Sequence, residues 1–91
     1  MSTEVSQFLG ISAHMWVDPL ADYAREPHVH ASYGDLRSAY SIETGHALDT
    51  GISPRTDGFL KEWIDLNRSA LLGNWRRIHD NRPPEPIPPL E

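Results

Sequence analysis

No cysteine occurs in this chain, which excludes disulfides, thiolate nucleophiles and a cysteine-held zinc. No apolar run approaches the roughly 18 residues that a membrane span requires. The opening Met1-Ser2-Thr3-Glu4 is polar, unlike the charged-then-apolar leader of a secreted chain. A cytoplasmic location without membrane attachment is therefore expected. Cations are scarce: 8 Lys and Arg stand against 13 Asp and Glu, a net charge of −5. Tight non-specific nucleic-acid binding needs many cationic contacts, so the whole chain does not read as a generic DNA or RNA binder. The deficit is uneven. Residues 1–53 carry Arg25 and Arg37 against seven acids, whereas residues 54–82 carry six cations against four. The second half thus keeps a local contact to RNA or to a partner open.

What is present fits one small globular domain. The length of 91 residues supports a single modest core, and 38% hydrophobic with 23% charged residues is a folded rather than a disordered composition. Trp16, Trp63 and Trp75 supply much of the area available to that core. So small a core leaves room for a partner chain, either a cognate protein or a second copy.

Residues 5–17 alternate, with Leu9, Ile11, Ala13, Met15 and Val17 on one side and Phe8, Gly10, Ser12, His14 and Trp16 on the other. Period two predicts a half-buried strand, with Gly10 marking a bulge or bend. Residues 18–27 read as a connection holding at most one helical turn over Leu20–Ala24. Residues 28–33 form a second strand with His28, His30 and Ser32 on one face and Val29, Ala31 and Tyr33 on the other. Gly34-Asp35 supplies a tight hairpin into a third strand over residues 36–43, and residues 46–50 suit a short fourth.

The period then changes. Ser53-Pro54 is a helix start, a capping hydroxyl followed by proline at the first helical position. Phe59, Leu60, Trp63, Ile64, Asn67, Leu71, Trp75 and Ile78 follow three- and four-residue spacing, an amphipathic stripe. Asn67-Arg68-Ser69 and Gly73 are weak points, where one helix kinks or two follow each other. Five of the eight prolines fall in residues 81–91, a polyproline-like tail with Ile87 and Leu90 able to dock. The expected architecture is α+β: a single domain over residues 1–80, in which a small antiparallel sheet of three to four strands is packed on one face by a C-terminal helix or helix pair, followed by the tail.

Several segments together resemble a known family. They are Gln7-Phe8-Leu9-Gly10-Ile11 with Met15-Trp16, then Pro27-His28-Val29-His30-Ala31-Ser32-Tyr33-Gly34, then Ser41-Ile42-Glu43-Thr44-Gly45. Pro54-Arg55, Glu62-Trp63, Leu71-Leu72-Gly73-Asn74-Trp75 and Ile87-Pro88-Pro89-Leu90 follow in the same order. They are similar to the bacterial domain-of-unknown-function 4160 family. The resemblance implies a small intracellular α+β protein, often encoded beside a member of another unknown-function family, number 2442. The pair is regarded as a toxin–antitoxin module with the present family as the toxin. The chain departs from the family in the link before His-x-His, which is longer here and lacks a histidine.

His28 and His30, two apart on a strand, project from one face, and His14 can join them. Three histidines can ligate zinc with one position left open. A second reading is acid–base chemistry on RNA, which needs a base, an acid and a cation for the phosphate. His28 and His30 can serve as the pair, Arg55 at the helix start can hold phosphate, and Tyr33 and Glu43 can orient or assist. A third reading is purely structural. Tyr33 then packs in the core, Glu43 pairs with Arg37, Arg55 pairs with Asp57 or Glu62, and His46 and His79 are surface residues. Trp63 and Trp75 read as core anchors, and nothing argues for a cofactor. Arg76-Arg77 and the tail residues Ile87 and Leu90 are candidates for partner binding.

Overall fold

In a computed structural model, residues 3–18 and 26–91 are described. The helical turn expected over Leu20–Ala24 lies outside the described residues. Strands β1 (Thr3–Phe8), β2 (Ile11–Met15), β3 (His28–Tyr33) and β4 (Leu36–Ser41) form an antiparallel meander in the order β1-β2-β3-β4, and helix α1 (Pro54–His79) follows. The fold is α+β. Among the described residues no helix is long and apolar enough to cross a membrane.

The alternating stretch 5–17 is a hairpin rather than one strand. Leu9 and Gly10 both take positive φ, 52° and 79°. Positive φ at both central residues is the signature of a two-residue type I′ turn, whose twist matches that of the flanking strands. Phe8 then sits opposite Ile11, and Ser6 opposite Ala13, so Phe8 joins Ile11, Ala13 and Met15 in the core. Val5 is the extra residue of a bulge between Glu4 and Ser6 and is buried. Leu9 and Val17, expected inside, are exposed.

The Gly34-Asp35 turn and strand β3 follow the sequence pattern. β4 ends at Ser41, two residues early, because Ile42-Glu43-Thr44 turns back and the Gly45 N–H donates to the Ser41 carbonyl at 2.8 Å. Of the strand expected at 46–50, only a bridge between Tyr40 and Ala47 forms.

Helix α1 begins as expected. Ser53 Oγ accepts the Thr56 N–H at 3.1 Å, and Pro54 occupies the first turn. The helix kinks at Asn67 (φ −121°, ψ 21°). There the Asn67 side-chain amide donates to the Trp63 carbonyl at 2.9 Å, the acceptor that the regular i→i−4 ladder would use. Leu60, Trp63, Ile64, Leu71 and Ile78 are buried in one core with Ile11, Ala13, Met15, Val29, Ala31 and Tyr40 of the sheet. Full burial of each such side chain is worth about 1.5–3 kcal/mol. Tyr40 is wholly buried, and its hydroxyl donates to Asp57 of the first helical turn; burial, then that carboxylate, pushes its ionisation above the usual range.

The C-terminal segment is part of the same core. Ile87 and Leu90 are buried, Ile87 N–H donates to the Val5 carbonyl at 2.8 Å, and Trp63 Nε1–H donates to the Pro88 carbonyl at 2.8 Å. Asn74 holds Glu85 from both sides, donating to its carbonyl at 2.8 Å and accepting its N–H at 2.7 Å. Ile87 and Leu90 are therefore not available as partner anchors: their own chain covers them.

Candidate functional site

Strand alternation separates the sheet into two faces. One carries Ile11, Ala13, Met15, Val29, Ala31 and Tyr40 against α1. The other carries His14, His30, Ser32 and Arg37, with His14 opposite His30 and Ser32 opposite Arg37 in the register. Trp16, one alternation beyond His14, stacks on the His30 ring with centroids 3.5 Å apart and planes at 12°. Together with Asp18, and with Asp49 from the loop after β4, these side chains line a depression of about 430 Å³. The Leu48 N–H, bonded to the Ala39 carbonyl at 2.8 Å, holds that loop beside β4.

His30 is half-buried here. Desolvation, then the neighbouring His28, lower its pKa from 6.5 to about 4; Asp18 pulls it upward and His14 downward. At neutral pH its ring is uncharged, the form that accepts a proton. His28 and His30 do converge, edge to face with centroids 4.9 Å apart. His28, however, is buried, its Nδ1–H donates to the Glu26 carbonyl at 2.7 Å, and Trp75 of α1 lies 4.9 Å away, with His79 a further 4.3 Å from Trp75. A continuous aromatic run, Trp16–His30–His28–Trp75–His79, thus passes from the site to the end of the helix. His14, partly exposed, is the second imidazole that reaches the depression.

Other expected residues lie elsewhere. Tyr33 is exposed rather than packed in the core, because β3 reaches the sheet end at the Gly34 turn, and its ring lies against Gly10. Tyr33 and Arg55 share a separate groove of about 310 Å³ with Leu9, Leu36, Ile52 and Phe59. Arg55 pairs with neither Asp57 nor Glu62; its guanidinium lies 5.5 Å over the Phe59 ring. Glu43 is exposed in the turn after β4 and lines neither depression, and no ion pair joins it to Arg37. Arg76 is exposed, while Arg77 is engaged by its own chain, through the Pro83 carbonyl at 2.8 Å and the Glu85 carboxylate at 3.5 Å. Among the described residues no group of three or more His, Asp or Glu side chains is arranged to hold a metal ion.

Arg37, Trp16, Asp18, Ser32 and Asp49 were not among the expected site residues. Ser32 shares the parity of His30, and the Gly34-Asp35 hairpin pairs Arg37 with Ser32, so these two were within reach of strand arithmetic. Asp49 arrives from a loop whose path no local pattern announces.

Residues 10–76 match the family described as Domain of unknown function (DUF4160), and the chain belongs to that family. No curated protein and no solved structure matches the chain.

Proposed function

We propose that this protein is the cytoplasmic toxin component of a type II-like toxin–antitoxin module, neutralised by a small cognate protein and acting on RNA through the His-x-His strand. One observation carries the reading: two imidazoles paired on neighbouring strands, His14 and His30, line the same depression as the cation Arg37. Base, acid and phosphate partner are what cleavage next to a 2′-hydroxyl requires. Neutral His30 takes the 2′-hydroxyl proton as that oxygen attacks phosphorus. His14 gives a proton to the departing 5′-oxygen, and Arg37 balances charge on the phosphoryl oxygens. The products are a 2′,3′-cyclic phosphate and a free 5′-hydroxyl. In this scheme His28 positions His30 by contact and does not touch substrate.

Induced expression in a bacterial host is expected to arrest growth, His30→Ala to relieve the arrest while staying soluble and folded, and the neighbour-encoded protein to rescue it. A folded, fully toxic His30→Ala would remove the site.

The exposed apolar cluster of Leu9, Tyr33 and Leu36 favours a second reading, a non-enzymatic protein that works by binding its neighbour-encoded partner. No arrest at good soluble expression, together with a complex weakened by Leu36→Asp, would select it.

A further inference from the structure

Apolar exposure on this chain is concentrated in one place. Five large hydrophobic side chains are exposed among the described residues, and three of them, Leu9, Tyr33 and Leu36, line the same groove of about 310 Å³. The partly buried Ile52 and Phe59 line it too. The chain keeps this exposure at a backbone cost. Leu9 holds φ 52°, where a branched side chain is strained and Asn or Gly is not. Beside it, a Cβ on Gly10 would lie 3.0 Å from Tyr33 Cε2, so the turn leaves the room that the Tyr33 ring takes. Strain held at an exposed apolar residue, inside an exposed apolar patch, marks an interaction surface.

We propose that this groove docks a partner protein through an acidic–apolar segment. A large apolar side chain of the partner seats among Leu9, Tyr33 and Leu36, and a carboxylate beside it pairs with Arg55. This deepens the partner-binding reading above, on which it rests, by giving the partner's chemistry.

Charge complementarity selects that occupant. Arg55 is the only charged residue lining the groove. Among the described residues it makes no ion pair or hydrogen bond, and its contact is the Phe59 ring, 5.5 Å away. Asp57, the nearest acid in sequence, is committed elsewhere: it accepts the Tyr40 hydroxyl and the Ile52 N–H, the latter at 3.0 Å. A guanidinium left without a counter-ion is a recognition group for a carboxylate. A second copy of this chain does not supply one. A two-fold contact would set the same lining against itself, apolar side chains and another cation. Tyr and Arg are also the residue types that anchor protein interfaces, whereas Asp, Glu and Lys, which interface cores avoid, do not line the groove. No residue lines both this groove and the His30 depression, so partner and substrate do not compete for the same side chains.

The test is binding of the intact protein to the neighbour-encoded protein by isothermal titration calorimetry, with two substitutions chosen to spare the fold. Leu9→Asn suits the left-handed turn, and Arg55→Glu puts an acid in the first turn of α1, where the helix dipole favours it. Leu9→Asn should unfold in urea no earlier than wild type, and Arg55→Glu close to it. Both should nevertheless bind at least about tenfold more weakly. Wild-type affinity should fall as salt rises, and the fall should be shallower for Arg55→Glu. Weakening by Leu9→Asn alone overturns the carboxylate, and weakening by Arg55→Glu alone overturns the apolar anchor. A complex that neither substitution weakens overturns the groove and leaves partner binding standing. Dimers of the protein alone that Leu9→Asn disperses would put a second copy in the groove and overturn the assignment. No complex with wild type overturns both this inference and the partner-binding reading.

Discussion

At the scale of single residues, burial and charge conflict at His30. Its ring is stacked on Trp16 and flanked by His28 and His14, and Asp18 pulls its pKa the other way. The unfolded chain binds a proton there near pH 6.5, whereas the native chain refuses it until about pH 4. Between those values the unfolded state holds more protons, so acidification favours unfolding. The stabilisation that neutral His30 allows is complete above pH 6.5 and is lost as pH falls toward 4, with a slope of at most about 1.4 kcal/mol per pH unit. Urea unfolding of wild type and His30→Phe, which keeps a ring against Trp16, should diverge on this slope between pH 6.5 and 4.5. Parallel curves would show that the two states titrate alike at this residue. The shared face of His28 and His30 was legible in their spacing, because strand parity assigns a face. Depth was not: His28 is covered by Trp75, 47 residues later, and parity says nothing about what comes to lie over a strand end.

At the scale of elements, the β1–β2 hairpin shows where alternation deceives. A two-residue turn shifts the parity by one, but here Leu9 in the turn continues the apolar alternation of Ile11, Ala13 and Met15 and lacks the Asn, Asp or Gly signature of the type. The clue was Phe8, a large apolar side chain on the wrong parity for a single strand. Leu9 holds φ 52° and is 53% exposed. It therefore carries left-handed strain without compensating burial. Leu9→Asn should raise unfolding stability by about 1 kcal/mol, measured from the urea midpoint at unchanged slope. A loss of stability would mean that Leu9 contributes more by covering the Tyr33 groove than its backbone costs. The helix was easier to read, since Ser53-Pro54 and the Asn67 weak point are local signals and both took effect where they stand.

At the scale of the molecule, the proline-rich segment is a strap rather than a tail. Of residues 83–89, five are prolines and have no N–H to satisfy. The two that do, Glu85 and Ile87, donate to Asn74 and Val5. Composition announced a segment outside helix and strand, as residues 82–91 are, but its docking depends on partners spread from residue 5 to residue 74, which no local window contains. Asn74→Ala leaves both polar groups of Glu85 without their partner. It should cost roughly 2 kcal/mol and speed hydrogen exchange at the Ile87 amide, whose bond to Val5 the strap maintains. Exchange at Ile87 unchanged from wild type would show the strap held by Ile87 and Leu90 alone.

That strap has a consequence for how the protein comes into being. Val5 leaves the ribosome early, and the Ile87 N–H that completes it is synthesised 82 residues later, 87 minus 5. At roughly 5–20 residues per second this is a delay of about 4 to 16 s. During that interval the bulged edge of β1 is unsealed, and the indole N–H of Trp63 is unsealed from its own synthesis until Pro88 follows. The bond between Val5 and Ile87 thus joins the first strand to a segment made long after it, and the edge of β1 stays open until that segment arrives.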